Sequence, residues 1–250
     1  MTTLVFLCAA GFIAAFVDSI AGSGGIISLP AFIFAGIPPH LALGTNKFSS
    51  SCASFTSSLK FARSGKVDFK ILKFLVPFTL IGAAAGARTV LSINAKYLNS
   101  IVLILLLIVS IYSLFSKNVG LKDNFKSTTR KTLFIGMLFA AALGFYDGFL
   151  GPGTGSFLIF GLISIYKFDF LRSAGNAKFL NFISNITALI VFIVNRQIDY
   201  KLGIPVAICM IIGARFGTKL ALVKGSKIIK PIFITVSLCL AVKIVYGIIY

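Results

Sequence analysis

The sequence predicts an all-α integral membrane protein made of two inverted repeats, and three observations support that fold class. Hydrophobic residues make up 58% of the 250 residues, charged residues only 12%, and the mean hydropathy is +1.00. That apolar surface exceeds what a single soluble core can hide. Residues 97–115 carry no charge over 19 positions, about the length of a helix that crosses ~30 Å of hydrocarbon. The third observation is an internal duplication.

The second half of the chain repeats the first. At a shift of 129, the segment FVDSIAGSGG that begins at Phe16 aligns with FYDGFLGPGT, which begins at Phe145. After a two-residue insertion the shift becomes 131, and three further positions align with their counterparts: Gly44, Lys47 and Asp68 with Gly175, Lys178 and Asp199. All six acidic residues are aspartates, and four of them form two aligned pairs. The repeats are therefore predicted at 1–116 and 132–250, joined by a polar linker at 117–131.

Each repeat divides into a broken helix hairpin followed by three spanning helices. The predicted segments are a long helix (2–20 and 132–149), a short apolar piece (26–36 and 155–166) and three spans (44–62, 70–91 and 96–115; 174–195, 202–222 and 227–249). A piece of about 11–13 residues rises only ~17–20 Å as a helix, which is too little to cross a bilayer. We therefore expect re-entrant hairpins whose glycine tips lie at membrane depth, surrounded by protein or a water-filled cavity.

The positive charges favour inverted repeats. If each repeat crosses the membrane an even number of times, the two sides carry 11 Lys and Arg residues each; an odd number gives 17 against 5. Only the second distribution has the bias that sets membrane topology. We therefore predict that the linker is cytoplasmic and that both termini lie outside. Residues 1–17 lack a basic start and are expected to be the first helix of the mature chain, not a signal peptide.

Several function classes find no support in the sequence. The net charge of +18 comes from residues in short loops, with no basic face beside stacking aromatics, so no nucleic-acid partner is expected. No metal and no cofactor is expected, because the only histidine is His40 and the cysteines lie in apolar segments without CxxC spacing: Cys8, Cys52, Cys209 and Cys239. Without a nucleophile elbow or a Cys/His arrangement, an enzyme is not predicted.

Two aligned aspartates are the first candidates for a functional site. An ionised Asp at a helix centre in a bilayer costs at least ~2.5–3.5 kcal/mol, so Asp18 and Asp147 need a partner, water or a proton. We interpret them as coupling or structural acids. The alternative is a salt bridge that only holds the helix break.

Glycine-rich runs follow both aspartates and precede the short helices. A glycine break followed by a helix N-terminus offers N–H groups and a positive dipole end, which suit an oxyanion. Amide and lysine side chains open the next span of each repeat, where the lysines either counter the aspartates, bind an anion or snorkel to the interface. The predicted substrate-binding residues are Gly22, Ser23, Gly24, Gly25, Asn46, Lys47, Gly151, Gly153, Thr154, Gly155, Asn176 and Lys178.

The chain resembles the TauE/SafE family of sulfite exporters over essentially its whole length. The first repeat carries GFIAAFVDSIAGSGGIISLPAFIFAGIPPHLALGTNKF followed by RSGKVDF, and the second carries GFYDGFLGPGTGSF and AGNAKFLNF, which is similar to the family's second signature. The resemblance implies transport of small sulphur-containing or organic anions, such as sulfite, sulfoacetate or thiosulfate, across the bacterial inner membrane, often as export. Ser23 and Ala177 depart from the expected pattern and leave the cargo open.

The resulting hypothesis is a multi-pass permease in the bacterial inner membrane that exports a small sulphur-containing anion. Its expected partners are the lipid bilayer, the anionic substrate and a coupled proton or cation, while a homodimer stays an open alternative. Two other functions remain compatible with the residues: a permease for a carboxylate or other organic anion, and a membrane subunit that does not transport. Helix termini and lysines recognise charge and size more than the central atom of the anion.

Overall fold

The computed structural model describes residues 2–98, 101–102, 104, 123–125 and 127–224. Eight helices lie wholly within these ranges: α1 Thr2–Ala21, α2 Gly25–Phe34, α3 Pro39–Arg63, α4 Phe69–Ser92, α5 Arg130–Phe149, α6 Thr154–Tyr166, α7 Phe170–Val194 and α8 Tyr200–Lys224. Residues 95–98, 101–102 and 104 are helical as well. Within these ranges there is no strand, and the all-α prediction is confirmed. The predicted helix 227–249 lies outside the described residues, as do most of the helix 96–115 and residues 117–122 and 126 of the linker.

Of the eight helices described, five are long and apolar enough to cross a membrane: α1, α4, α5, α7 and α8. The helices α2 and α6 have 10 and 13 residues and are too short for a crossing, as the sequence predicted. The remaining helix, α3, has 25 residues but carries a dense run of Ser and Thr. Five of those hydroxyls are buried inside the protein, so the polarity of α3 faces protein and not lipid: Ser49, Ser51, Ser54, Ser57 and Ser58.

Aspartates and a proline fix where the long helices begin. The carboxylate of Asp68 accepts from the backbone N–H groups of the first turn of α4, and Asp169 and Asp199 do the same for α7 and α8, which satisfies amides that have no partner within the helix. Pro39 is the first residue of α3, a position where its missing N–H costs nothing. Because α3 and α7 begin five and four residues earlier than predicted, the predicted position of the Lys47 and Lys178 clusters at helix starts is wrong. They lie inside the helices.

The two repeats pack through matched glycine contacts. Helix α1 packs along α8, and α5 packs along α4. A Cβ at Gly82 or Gly213 would collide with the backbone carbonyl of Ala141 or Phe12, respectively, so only glycine lets these backbones approach. The two contacts are equivalent, because Gly82 and Gly213 differ by 131 and Phe12 and Ala141 by 129. The same shifts that align the sequence therefore relate the contacts of the two repeats.

The equivalent helices α3 and α7 run in opposite directions at the centre of the molecule. Near the start of α3, the hydroxyl of Thr45 accepts from the N–H of Asp199, which follows the end of α7, at 2.9 Å. Near the start of α7, the amide oxygen of Asn176 accepts from the N–H of Asp68, which follows the end of α3, at 2.8 Å. Each helix thus begins beside the end of the other.

Candidate functional site

Both predicted helix breaks are present at equivalent glycines. Helix α1 ends at Ala21 and α5 at Phe149. The next turns contain Gly22 with φ 79° and Gly151 with φ 89°, backbone conformations that side-chain-bearing residues adopt only at a cost. These left-handed residues turn the chain from each long helix into the short helix that follows it.

The two breaks touch each other at the centre of the molecule. The N–H of Ser156 donates to the carbonyl of Gly22 at 3.1 Å, and the Ser156 hydroxyl donates to the carbonyl of Ala21 at 2.8 Å. The hydroxyls of Ser23 and Ser156 also form a hydrogen bond of 2.8 Å. A Cβ at Gly155 would lie 2.6 Å from the Cα of Gly22, so the backbones are in direct contact. The breaks therefore build one site, not two separate ones.

Two buried ion pairs cross between the repeats. The ammonium of Lys47 lies 3.0 Å from Asp147, and that of Lys178 lies 2.6 Å from Asp18. The lysines occupy equivalent positions on α3 and α7, the aspartates on α5 and α1. The lysine side chains are only 3% and 0% exposed, so neither snorkels to a membrane interface. Each aspartate beside a break is held by a lysine of the other repeat.

The two aspartates differ in their surroundings. The side chain of Asp147 is 2% exposed, and besides Lys47 it accepts hydrogen bonds from Ser184 and from the amide of Asn181, the latter at 3.4 Å. The side chain of Asp18 is 20% exposed and accepts from the N–H of Gly24 at 3.2 Å. The symmetric frame thus holds one enclosed carboxylate and one partly open carboxylate.

A small cavity of about 30 Å³ lies between the breaks. Nine of the predicted site residues line it: Asp18, Gly22, Gly24, Gly25, Asn46, Lys47, Asp147, Gly151 and Gly155. The remaining wall includes the amides of Asn181 and Asn185 and the small residues Ser50 and Ala53. Cation, amide and backbone groups therefore converge on one space at the junction of the repeats.

Five predicted site residues do not line this cavity: Ser23, Gly153, Thr154, Asn176 and Lys178. The hydroxyl of Thr154 donates to the carbonyl of Gly151 at 2.8 Å and holds the break. The amide of Asn176 donates to the carbonyl of Arg172 at 2.8 Å and accepts from Asp68, so it joins the ends of two helices. Lys178 lies behind Asp18 and reaches the cavity only through that carboxylate.

The sequence reasoning missed the amides of α7. The ammonium of Lys47 donates to the amide oxygen of Asn185 at 3.0 Å, and Asn181 contacts Asp147. Both amides lie on the same helical face as Lys178, at spacings of three and four residues, and this spacing was a signal available in the sequence. Asn46 has a buried amide oxygen that finds no hydrogen-bond partner within the described part of the chain.

Known proteins are similar to this chain over nearly its whole length. The family described as "Sulfite exporter TauE/SafE" matches residues 7–244. A protein of Haemophilus influenzae named "Probable membrane transporter protein" is 35% identical over 97% of this chain and 94% of its own length. "Probable membrane transporter protein ORF9" of a Sinorhizobium species is 39% identical over 96% and 92%, and "Probable membrane transporter protein YfcA" of Escherichia coli K12 is 34% identical over 94% and 86%. No solved structure matches the chain.

Proposed function

Because the chain belongs to the sulfite exporter TauE/SafE family of membrane transporters, we propose that it exports small sulphur-containing anions, such as sulfite, sulfoacetate or thiosulfate, across the bacterial inner membrane. The prediction of a transporter instead of an enzyme, and of a multi-pass cell membrane location, is confirmed by the family, the names of the relatives and the five helices able to span.

The observation that supports an anionic substrate is the cavity between the breaks. Its wall holds the ammonium of Lys47 and the amides of Asn46, Asn181 and Asn185, all of which can donate hydrogen bonds to an oxyanion. Two helices begin at this wall, α2 at Gly25 and α6 beside Gly155, and their positive dipole ends add to the attraction. Because the wall is compact, it favours small anions over bulky ones.

Inverted membrane topology of the repeats fits this proposal. The equivalent helices α3 and α7 run antiparallel and enclose the site between them, as the contacts of Thr45 and Asn176 indicate. If both helices cross the bilayer, the breaks enter from opposite sides and meet near the midplane, where transporters of inverted repeats place their substrate. Movement of one repeat against the other would then expose the cavity to each side in turn.

Reconstituted transport tests the proposal directly. Liposomes that contain the purified protein are loaded with radiolabelled sulfite. Unlabelled sulfonates, thiosulfate, carboxylates and chloride are then compared as competitors of sulfite flux. We expect sulphur-containing anions to compete at the lowest concentrations. If carboxylates compete best, the chain is an organic-anion permease. If no anion moves, the result supports the alternative of a membrane subunit that does not transport.

The site is tested with two lysines of the same helix. Lys47→Ala removes the only ammonium in the cavity wall that the structure describes, and we expect sulfite flux to fall at least tenfold. Lys60→Ala is the matched control, because Lys60 donates to the carbonyl of Arg215 outside the cavity, and its flux stays within twofold of the parent protein. Equal flux in both variants, with unchanged elution from a sizing column, would remove Lys47 from the site.

A further inference from the structure

The charges around the cavity are balanced before any substrate enters. The carboxylates of Asp18 and Asp147 are each paired with one buried lysine, so the four groups carry no net formal charge. An anion that entered alone would leave the site with an unpaired negative charge inside the membrane, which is costly. An anion that enters together with one proton leaves the charge unchanged.

The structure favours one of the two carboxylates as the proton acceptor. Besides its ion pair with Lys47, Asp147 accepts hydrogen bonds from the side chains of Ser184 and Asn181. Hydrogen bonds donated to a carboxylate favour its ionised form. At the positions in the first repeat that are equivalent to Ser184 and Asn181, the chain has Ala53 and Ser50. The side chain of Ala53 has no hydrogen-bond donor, and no hydrogen bond joins Ser50 to Asp18 among the residues described here. Asp18 is also ten times more exposed than Asp147, at 20% against 2%.

We propose, as a deepening of the function proposed above, that Asp18 takes up one proton for each monovalent anion that the protein moves, so that anion and proton travel together in an electroneutral step. The proton adds to the carboxylate of Asp18 and breaks its ion pair with Lys178. The freed ammonium then becomes the counter-charge of the anion, beside Lys47. On release the proton leaves Asp18, and the ion pair forms again.

A metal cation fits the site less well than a proton. Both carboxylates have an ammonium within 3.0 Å, which repels a second cation, whereas a sodium site is built from several oxygen ligands without such a neighbour. Within the described ranges, no group of three or more His, Cys, Asp or Glu side chains is placed to hold a metal ion. The proton is therefore the coupling ion that the residues can accept.

Few other charged groups face Asp18. Lys178 on α7 contacts it, and Lys47 on α3 and Asp147 on α5 share its cavity. Helix α2 contains no titratable residue, and the only one in α6 is Tyr166 at its far end. On α8, the exposed residues Arg215 and Lys219 lie beside Lys60. Uptake of a proton by Asp18 therefore depends mainly on its ion pair.

The test measures proton movement during anion transport. The full chain is reconstituted in liposomes containing a pH-sensitive dye, and methanesulfonate is the probe because this strong-acid anion brings no proton of its own. We expect an inward methanesulfonate gradient to acidify the lumen by one proton per anion, at a rate that is insensitive to a clamped membrane potential. Anion flux without acidification would overturn the coupling and leave the proposed function standing. If neither methanesulfonate nor sulfite moves, both proposals fail.

Two variants then assign the proton to a residue. In Asp18→Asn, we expect acidification to disappear and the remaining anion flux to become sensitive to membrane potential, since the lysine charge is no longer balanced. Asp147→Asn is the matched variant, in which transport slows but one proton still accompanies each anion. The opposite pattern, with coupling lost only in Asp147→Asn, would overturn the assignment.

A gain-of-contact variant keeps the test valid if Asp18→Asn does not fold. Ala53→Ser restores in the first repeat the hydroxyl that Ser184 supplies in the second, and it leaves both ion pairs in place. An added donor stabilises the ionised carboxylate, so half-maximal flux should move to lower pH by about one unit. Lack of any shift, with hydroxyl and carboxylate shown to be in contact, would contradict the role of Asp18.

Discussion

Replacing Gly22 by alanine tests whether the two helix breaks touch. Gly22 has φ 79°, and its missing Cβ would collide with the backbone of Gly155. Two costs therefore add: about 1–2 kcal/mol for a left-handed residue with a side chain, and about 1–3 kcal/mol for an added methyl group in a packed site. We expect Gly22→Ala to lower the free energy of unfolding by about 2–5 kcal/mol.

Two further glycines separate these costs. Gly36 has φ 77° and nothing within 4 Å of the position that an added methyl group would take, so Gly36→Ala carries only the conformational cost. Gly155 is packed against Gly22 without a positive φ, so Gly155→Ala carries only the packing cost. All three substitutions restrict the unfolded chain in the same way, and this contribution cancels when they are compared.

Thermal unfolding in detergent, followed by circular dichroism, provides the measurement. On the scale of soluble domains of this size, each kcal/mol shifts the midpoint by roughly 2–4 °C, so Gly22→Ala should melt several degrees below Gly36→Ala. If the two melt together and Gly155→Ala melts like the parent protein, the breaks are not in contact. The reasoning about a single shared site would then be refuted.

Two other predictions use matched positions of the repeats. Asp68 and Asp199 both cap helices, and replacing either by alanine should lower the free energy of unfolding by about 1 kcal/mol. Asp68→Ala should cost up to ~1 kcal/mol more, because it also loses the ion pair with Arg172 at 2.6 Å. Denaturation in 1 M salt should reduce this excess. Lys47→Ala should lower the free energy of unfolding by ~3–5 kcal/mol, because Asp147 is left buried without its counter-charge. Adding Asp147→Asn should restore part of the lost melting temperature. A double variant less stable than Lys47→Ala would contradict the ion pair.

The helices could be predicted because their signals are local. Apolar runs, the shortness of the segments after the breaks and the glycine pattern placed every described helix within five residues of its observed start. The largest difference was at α3, which was predicted to begin at residue 44 and begins at Pro39. A proline in the first turn of a helix lacks only an N–H that has no helical partner anyway, so the helix begins at Pro39 itself.

The ion pairs could not be predicted from local signals. Lys47 pairs with Asp147 and Lys178 with Asp18 over separations of 100 and 160 residues, and only the packing of the repeats brings them together. At the shift of 131, Asn176 corresponds to Thr45, and both side chains accept from the backbone N–H of an aspartate that caps a helix.

The comparison of the repeats separates residues that hold the frame from residues that can choose a substrate. Glycine contacts, ion pairs and capping aspartates occur twice, once in each repeat, so the architecture itself accounts for their presence. The polar wall of the cavity does not occur twice. We therefore expect substrate selectivity to reside where equivalent positions differ, which are Asn46 and Ala177, Ser50 and Asn181, Ala53 and Ser184, and Ser54 and Asn185. Two of these differences, Asn46 with Ala177 and Ala53 with Ser184, add or remove a hydrogen-bonding side chain, and the other two exchange a hydroxyl for an amide, all at or beside the cavity.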